Sequence, residues 1–261
     1  MKGKVLITGA TSGLGLAYAM EYAKRGYDLI VTGRRKEKLE KNAEEIMAQT
    51  GVHIKIIIVE LSNQKGLDYL LNEIREESIE VLINNAGYGL RPVFSDLSKE
   101  EMEGLLFLQT NVVVSLTHFI LKGMLSRNNG TIINVSSESA FAVMPHNVLY
   151  AATKTFLLTF TEGLYMELAD TNIQIQVICP GFIDSDFHES AGMKVNKQRK
   201  GIMKFTSPEK IVSVSMRDLD RKRIVSETSF DVKVFHFLSR VLPRKIFYRM
   251  AISFAKKIKR S

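Results

Sequence analysis

Tyr150 and Lys154 lie four residues apart in Tyr150-Ala151-Ala152-Thr153-Lys154. On a helix that spacing brings a phenol and an ammonium to one face. A phenol titrates near about 10 and seldom exchanges its proton at neutral pH, whereas a neighbouring cation favours the phenolate and lowers that value. The pair therefore predicts a general acid or base suited to a carbonyl oxygen. The same spacing is common on solvated helix faces, so the chemistry rests on what other segments bring alongside.

The first of these is a strand-like run, Lys4-Val5-Leu6-Ile7-Thr8, which leads into Gly9-Ala10-Thr11-Ser12-Gly13-Leu14-Gly15 and a helix over 16–25. A helix amino terminus offers unpaired N–H groups and a positive dipole end, and glycines let backbone approach a pyrophosphate. Gly9, Thr11, Ser12, Gly13, Leu14 and Gly15 are thus candidates for holding a dinucleotide. Apolar, β-branched strands are expected over 27–32, 54–59, 81–84, 131–135 and 174–178. Helices alternate with them over 36–49, 65–76, 99–125 and 149–168. The alternation predicts an α/β fold: a Rossmann-type, doubly wound parallel sheet in three layers. Ser98 with Glu101 has the pattern of a capping box, and Ser207-Pro208 that of a helix start.

In this order Thr8-Gly9 with Gly13 and Gly15, Asn84-Asn85-Ala86-Gly87, Asn111, Ser136-Ser137, Tyr150 with Lys154, and Pro180-Gly181 resemble the short-chain dehydrogenase/reductase family over about residues 1–226. The resemblance implies that Tyr150 protonates the carbonyl oxygen during reduction and that Ser137, rather than Ser136, binds that oxygen. It also implies that Lys154 lowers the phenol's pKa and hydrogen-bonds the nicotinamide ribose. Asn111 would bend its helix and hold a water linking Lys154 to solvent. Asn85, Ala86 and Gly87 would let the cofactor approach, and Pro180, Gly181, Ile183 and Ser185 would contact the nicotinamide end, Ser185 replacing the more usual Thr. Glu60 and Leu61 stand at the adenine-contacting loop, where Glu60 departs from the usual Asp. The activity implied is reduction of a ketone, with an oxidative alcohol or hydroxysteroid dehydrogenase and a non-catalytic, cofactor-bound scaffold as alternatives.

Cofactor choice is written at the end of the second strand. An acid there would accept bonds from the ribose hydroxyls of NAD and repel a 2′-phosphate, but this chain has Gly33-Arg34-Arg35. Arg34 and Arg35 can bind phosphate through charge-assisted, bidentate hydrogen bonds, so NADP(H) is expected. The five histidines show no metal-ligand spacing, and no metal site is expected. Cys179 is the only cysteine, which excludes an intrachain disulfide.

The 261 residues, 45% of them apolar, suit one core. The expected division is a catalytic domain over 1–230 and a basic extension over 231–261. The extension holds nine Lys or Arg against the single Asp231, and so accounts for the whole net charge of +8. After Pro243, Phe247, Met250, Phe254 and Ile258 recur at helical spacing, with Lys245, Arg249, Lys256 and Arg260 turned away. Two readings of this basic amphipathic helix stand. Residues 244–261 could lie on an anionic membrane, or the helix could pack on the protein body or on a second subunit with its basic side in water.

Without a nucleic-acid-binding module, no nucleic-acid partner is expected. The absence of an uninterrupted 18-residue apolar run points to a soluble, cytoplasmic body. Residues 187–205 correspond to the family's substrate-covering loop; their Lys194, Lys197, Arg199, Lys200 and Lys204 suit either plain solvation or an anionic carrier. Phe141, Val143 and Met144 would fit a lipophilic ketone, or could simply pack the pocket wall. Relatives pair the helices that carry Leu105, Val113, Leu116, Ile120, Phe156, Phe160 and Leu164 into dimers or tetramers, although the same stripes would also cover one monomer's sheet.

Overall fold

The computed structural model describes residues 3–89, 93–141, 147–184 and 205–259, with side chains as far as Ser253. Seven strands, β1 (Lys4–Ile7), β2 (Asp28–Gly33), β3 (Ile54–Ile58), β4 (Ile79–Asn84), β5 (Gly130–Val135), β6 (Ile173–Cys179) and β7 (Val225–Glu227), form one parallel sheet. Its order is β3-β2-β1-β4-β5-β6-β7. The winding reverses between β1 and β4, which opens a crevice at the carboxyl ends of those strands, where open α/β sheets bind ligands.

Strand alternation divides the core in two. Val5, Ile7, Val31, Val81, Ile83 and Ile133 face a layer made by α1 (Gly13–Lys24), α2 (Lys36–Thr50) and α7 (Pro208–Asp220). Leu6, Ile30, Ile57, Leu82, Ile132 and Ile175 face α3 (Gln64–Glu73) and α5 (Val112–Ser126). α4 (Lys99–Leu106) and α6 (Val148–Glu167) lie in this second layer. Both expected helix starts are present: Ser98 and Glu101 close a full capping box on α4, and the Ser207 hydroxyl accepts from Lys210 N at the head of α7.

The long helix expected over 99–125 is interrupted by a π turn, Phe107–Asn111, between α4 and α5. The run Lys99–Ser126 is long and apolar enough to cross a bilayer by length and composition. Here Leu105, Val113, Leu116, Ile120 and Met124 are buried within the protein. A ladder of buried amides and hydroxyls ties this layer to the sheet. Asn84 Nδ2 donates to Asn134 Oδ1 at 2.8 Å, and Asn134 Nδ2 donates to Thr161 Oγ1 on α6 at 2.9 Å.

β7 was not expected from sequence, its three residues being too few to carry a periodicity. After it come α8 (Phe230–Val241) and α9 (Arg244–Lys259). Val232 of α8 is 0% exposed and packs with Ala140, Phe141, Leu158, Val177 and Cys179. The apolar stripe expected beyond Pro243 is divided: Phe247 turns inward, its ring 6.0 Å from that of Phe235, while Met250 is exposed. Lys245 and Arg249 are exposed as expected, and the side chains of Phe254, Lys256, Ile258 and Arg260 lie outside the described residues.

Candidate active site

The glycine turn and the end of β4 are stitched together across the switch point. Asn85 Nδ2 donates to the carbonyls of Thr8 and Gly9, each at 2.9 Å, and Thr8 Oγ1 accepts from the backbone N–H of Asn85 and of Ala86, each at 3.0 Å. Gly9 has φ +71°, a left-handed conformation that disfavours any side chain. A Cβ on Gly15 would sit 2.3 Å from Gly9 O and 2.6 Å from Asn85 Nδ2. Ser12 caps α1 in extended conformation without a side-chain hydrogen bond to the helix backbone, and no acid stands in the first turn. Those amides keep the electropositive character that suits an anion. Leu14 is buried in the core, so its contribution to a ligand would be its backbone alone.

Beyond β2, Arg35 Nη2 donates to Thr11 Oγ1 at 3.1 Å and to Ser12 Oγ at 2.9 Å. Arg34 Nη1 pairs with Glu60 Oε2 at 3.0 Å. Burial opposes ionisation of Glu60, but the hydrogen bonds from Arg34 and from Ser62 N outweigh it and hold the carboxyl below its ordinary value. Glu60 is thus engaged by Arg34, and Leu61 beside it is buried in the core.

On α6, Tyr150 and Lys154 meet as the spacing requires. Lys154 is 5% exposed, donates to Val135 O at 3.0 Å and places Nζ 5.3 Å from the Tyr150 ring centroid. The hydroxyls of Ser137 and Tyr150 are hydrogen-bonded. Ser136 is turned away, its Oγ donating to Lys154 O at 2.8 Å. A Cβ on Gly87 would lie 3.7 Å from Lys154 Nζ, so the loop after β4 and the Tyr–Lys pair border one space.

The expected lowering of the Tyr150 pKa is corrected. Burial pushes this phenol up to about 12; the Ser137 hydrogen bond acts against that, and the Glu138 charge adds to it. Lys154 lies over the ring and is spent on Val135 O, while burial brings its own ammonium down to about 8. Glu138, beside Ser137, is raised to about 7 by burial and then by Asp231. Burial pushes the Cys179 thiol well up, so it packs without nucleophilic character.

The family described as short chain dehydrogenase matches residues 3–196. The chain belongs to this family. It is 34% identical over 194 residues to mouse 17-beta-hydroxysteroid dehydrogenase type 3, covering 74% of this chain and 64% of that protein. The chain thus spans just under two thirds of that relative's length. It is 31% identical over 220 residues to the 3-oxoacyl-[acyl-carrier-protein] reductase of Aquifex aeolicus, covering 82% of this chain and 89% of that protein. Among solved structures, a short-chain dehydrogenase from Sphingobium yanoikuyae in complex with NADPH superimposes with a TM-score of 0.82 at 29% identity, covering 88% of this chain and 89% of that one.

Within this short-chain dehydrogenase framework, Asn111 ends the π turn that interrupts its helix, where the expected bend falls. Its side chain is exposed, accepts from Thr110 Oγ1 at 3.2 Å, and borders a surface groove with Gln64 and Phe156. The amide that reaches the site is Gln109. It is buried, donates to Tyr88 O at 2.6 Å, accepts from Thr153 Oγ1 at 2.9 Å, and lies 3.5 Å from a Cβ built on Gly87. Two residues on a helix are about 200° apart, so 109 and 111 cannot share a face. The signal was in the sequence, because Gln109 falls midway between Leu105 and Val113 in the core-facing stripe.

Phe141 is a second correction. Its ring is buried against His236, centroids 3.9 Å apart, and offers no wall to a substrate. Pro180 O accepts from Glu138 N at 2.8 Å, Gly181 lies between Glu138 and Val232, and Ile183 bridges to Thr206. Ser185, Val143, Met144 and residues 187–204 lie outside the described residues.

Replacing Gln109 by Leu should destabilise the protein by about 1–3 kcal/mol, since Tyr88 O and Thr153 lose a buried partner. Asn111→Ala should cost less than about 0.5 kcal/mol. Urea unfolding measures both, and equal effects would refute the assignment. Lys154 also makes stability pH-dependent. Because its folded pKa of about 8 lies below the unfolded value of 10.5, the unfolded chain binds the extra proton between them, and stability contributed by this group rises with pH across that window. From about pH 7.5 to 9.5 the wild type should gain about 1–2 kcal/mol relative to Lys154→Met. A constant difference would mean that the ammonium is not depressed.

Proposed function

We propose that this protein is an NADPH-dependent reductase that converts a ketone to a secondary alcohol, with Tyr150 as general acid. The observation that carries the reading is the convergence of Tyr150, Ser137 and Lys154 beside Gly87, at the carboxyl edge of the sheet where the glycine turn also ends. When bound, the nicotinamide cofactor supplies the hydride. The residues present fit it: Gly9 and Gly15 leave the backbone bare, and the uncapped start of α1 suits a pyrophosphate. Arg35, held over Thr11 and Ser12, suits a 2′-phosphate, with Arg34 next to it. NADPH bound to the Sphingobium relative supports the same choice.

The chemistry of this chain's own groups then follows. Ser137 would hold the substrate oxygen against the Tyr150 hydroxyl. With its pKa at about 12 the phenol carries its proton throughout the neutral range, as an acid must. Once that proton passes to the substrate oxygen, the adjacent Lys154 ammonium stabilises the phenolate left behind. Oxidation in the reverse direction needs the phenolate first and is served by rising pH. The substrate class we favour is an acyl or other lipophilic ketone, supported by the names of the hydroxysteroid and 3-oxoacyl relatives. Exposed Phe119 on α5 and Phe156 and Met166 on α6 support pairing of subunits through these helices.

Tyr150→Phe should lower kcat for ketone reduction by about 10²–10⁴-fold while NADPH affinity stays within about twofold of wild type. Stopped-flow and fluorescence titration measure the two, and retained turnover would remove the acid from Tyr150. Arg35→Ala should weaken NADPH by about tenfold or more and leave NADH nearly unchanged. Equal weakening of both cofactors would count against phosphate recognition there.

A further inference from the structure

We propose that the outward face of α8, continued by the start of α9, is a docking surface for an anionic lipid bilayer. A helix packed on a protein body ordinarily turns its polar residues to water. α8 does the reverse. Its inner face is occupied by Val232, which is 0% exposed, with Phe235 and His236 beside it. Yet Phe230 is 80% exposed, Val234 40%, Phe237 65% and Val241 54%. These four recur at i, i+4, i+7 and i+11, so they form a single stripe opposite Val232. Ile246 and Met250 of α9 add exposed apolar side chains beyond its end. A contiguous apolar surface of this kind marks an interaction site rather than ordinary scatter.

Charge selects the occupant. Lys233 and Arg240 flank the stripe on α8, and Arg244, Lys245 and Arg249 follow on α9, all of them exposed. From residue 231 onward Asp231 is the only acid in the chain. A second copy of the protein would bring the same basic rim against itself, and the resulting repulsion opposes such pairing. A bilayer containing acidic lipids reverses that sign: its headgroups attract the rim while the interfacial zone takes up the phenylalanines. The stripe therefore complements an anionic membrane in both respects.

Co-sedimentation of the full chain with vesicles of phosphatidylcholine, with and without roughly 30% phosphatidylserine, tests this. Wild type should bind the phosphatidylserine vesicles and release them at high salt. Phe230→Ser combined with Phe237→Ser should weaken binding by about tenfold or more, and Lys233→Glu combined with Arg240→Glu should do likewise. Circular dichroism of both variants should match the wild type, since all four side chains are exposed. The proposal is overturned if the wild type ignores anionic vesicles, or if the serine variant sediments as the wild type does. It is also overturned if Phe237→Ser turns a solution dimer into a monomer without changing sedimentation, because a second copy would then cover the stripe. Sedimentation requires no turnover, so its result stands apart from whether the protein reduces ketones.

Discussion

Lys154 is a charge carried into the protein, and the structure around it is arranged to make that tolerable. An ammonium removed from water needs acceptors, and the carbonyl of Val135 and the face of the Tyr150 ring provide them. Both come from fixed elements, the end of β5 and the first turn of α6. The remaining side of Nζ borders Gly87, whose position would bring a Cβ into van der Waals contact with it. The burial that costs Lys154 its ordinary pKa also keeps Tyr150 protonated, which suits the proposed role of this phenol as proton donor.

That arrangement requires β4, β5 and α6 to keep their relative depth. The register is held by polar groups within the core: Asn84 and Asn134 on adjacent strands are bonded to each other and onward to Thr161 of α6. Buried amides of this kind are satisfied in one alignment only, whereas apolar side chains tolerate a slip. On the other side of the switch point, Asn85 does the same for the glycine turn by taking two carbonyls of that turn at once. The glycine turn and the Tyr150–Lys154 pair are therefore positioned by one set of asparagines at the carboxyl ends of neighbouring strands.

How far the sequence disclosed this depended on whether the deciding contact was local. Tyr150 and Lys154 are related by helix geometry alone, and Gly9 and Gly15 by a strand-turn-helix order, so both were legible. The direction of the phenol's shift was not, because it comes from burial created by distant segments. Asn111 follows from resemblance and falls at the helix interruption, while the rotation of the helix, readable from Leu105 and Val113, turns Gln109 toward the site. Phe141 has the composition of a pocket residue, yet α8 arrives from nearly a hundred positions later and covers it. β7 is defined by pairing with β6 and by the Ser226 hydroxyl bonding to buried Asp218, neither of which leaves a periodic trace.

The same helix that hides Phe141 links the protein's surface to its site. His236 of α8 stacks on Phe141, one turn beyond Ser137, and its Nδ1 lies 2.7 Å from Glu227 Oε1 at the end of β7. Val232 meets Gly181, and Asp231 acts electrostatically on Glu138, the residue beside Ser137. The inner face of α8 is thus part of the support of the turn that carries Ser137, while its outer face carries the apolar stripe. Close-packed interiors transmit displacement rather than absorb it. The turn that carries Ser137 and the outward stripe are thus joined through one packed helix.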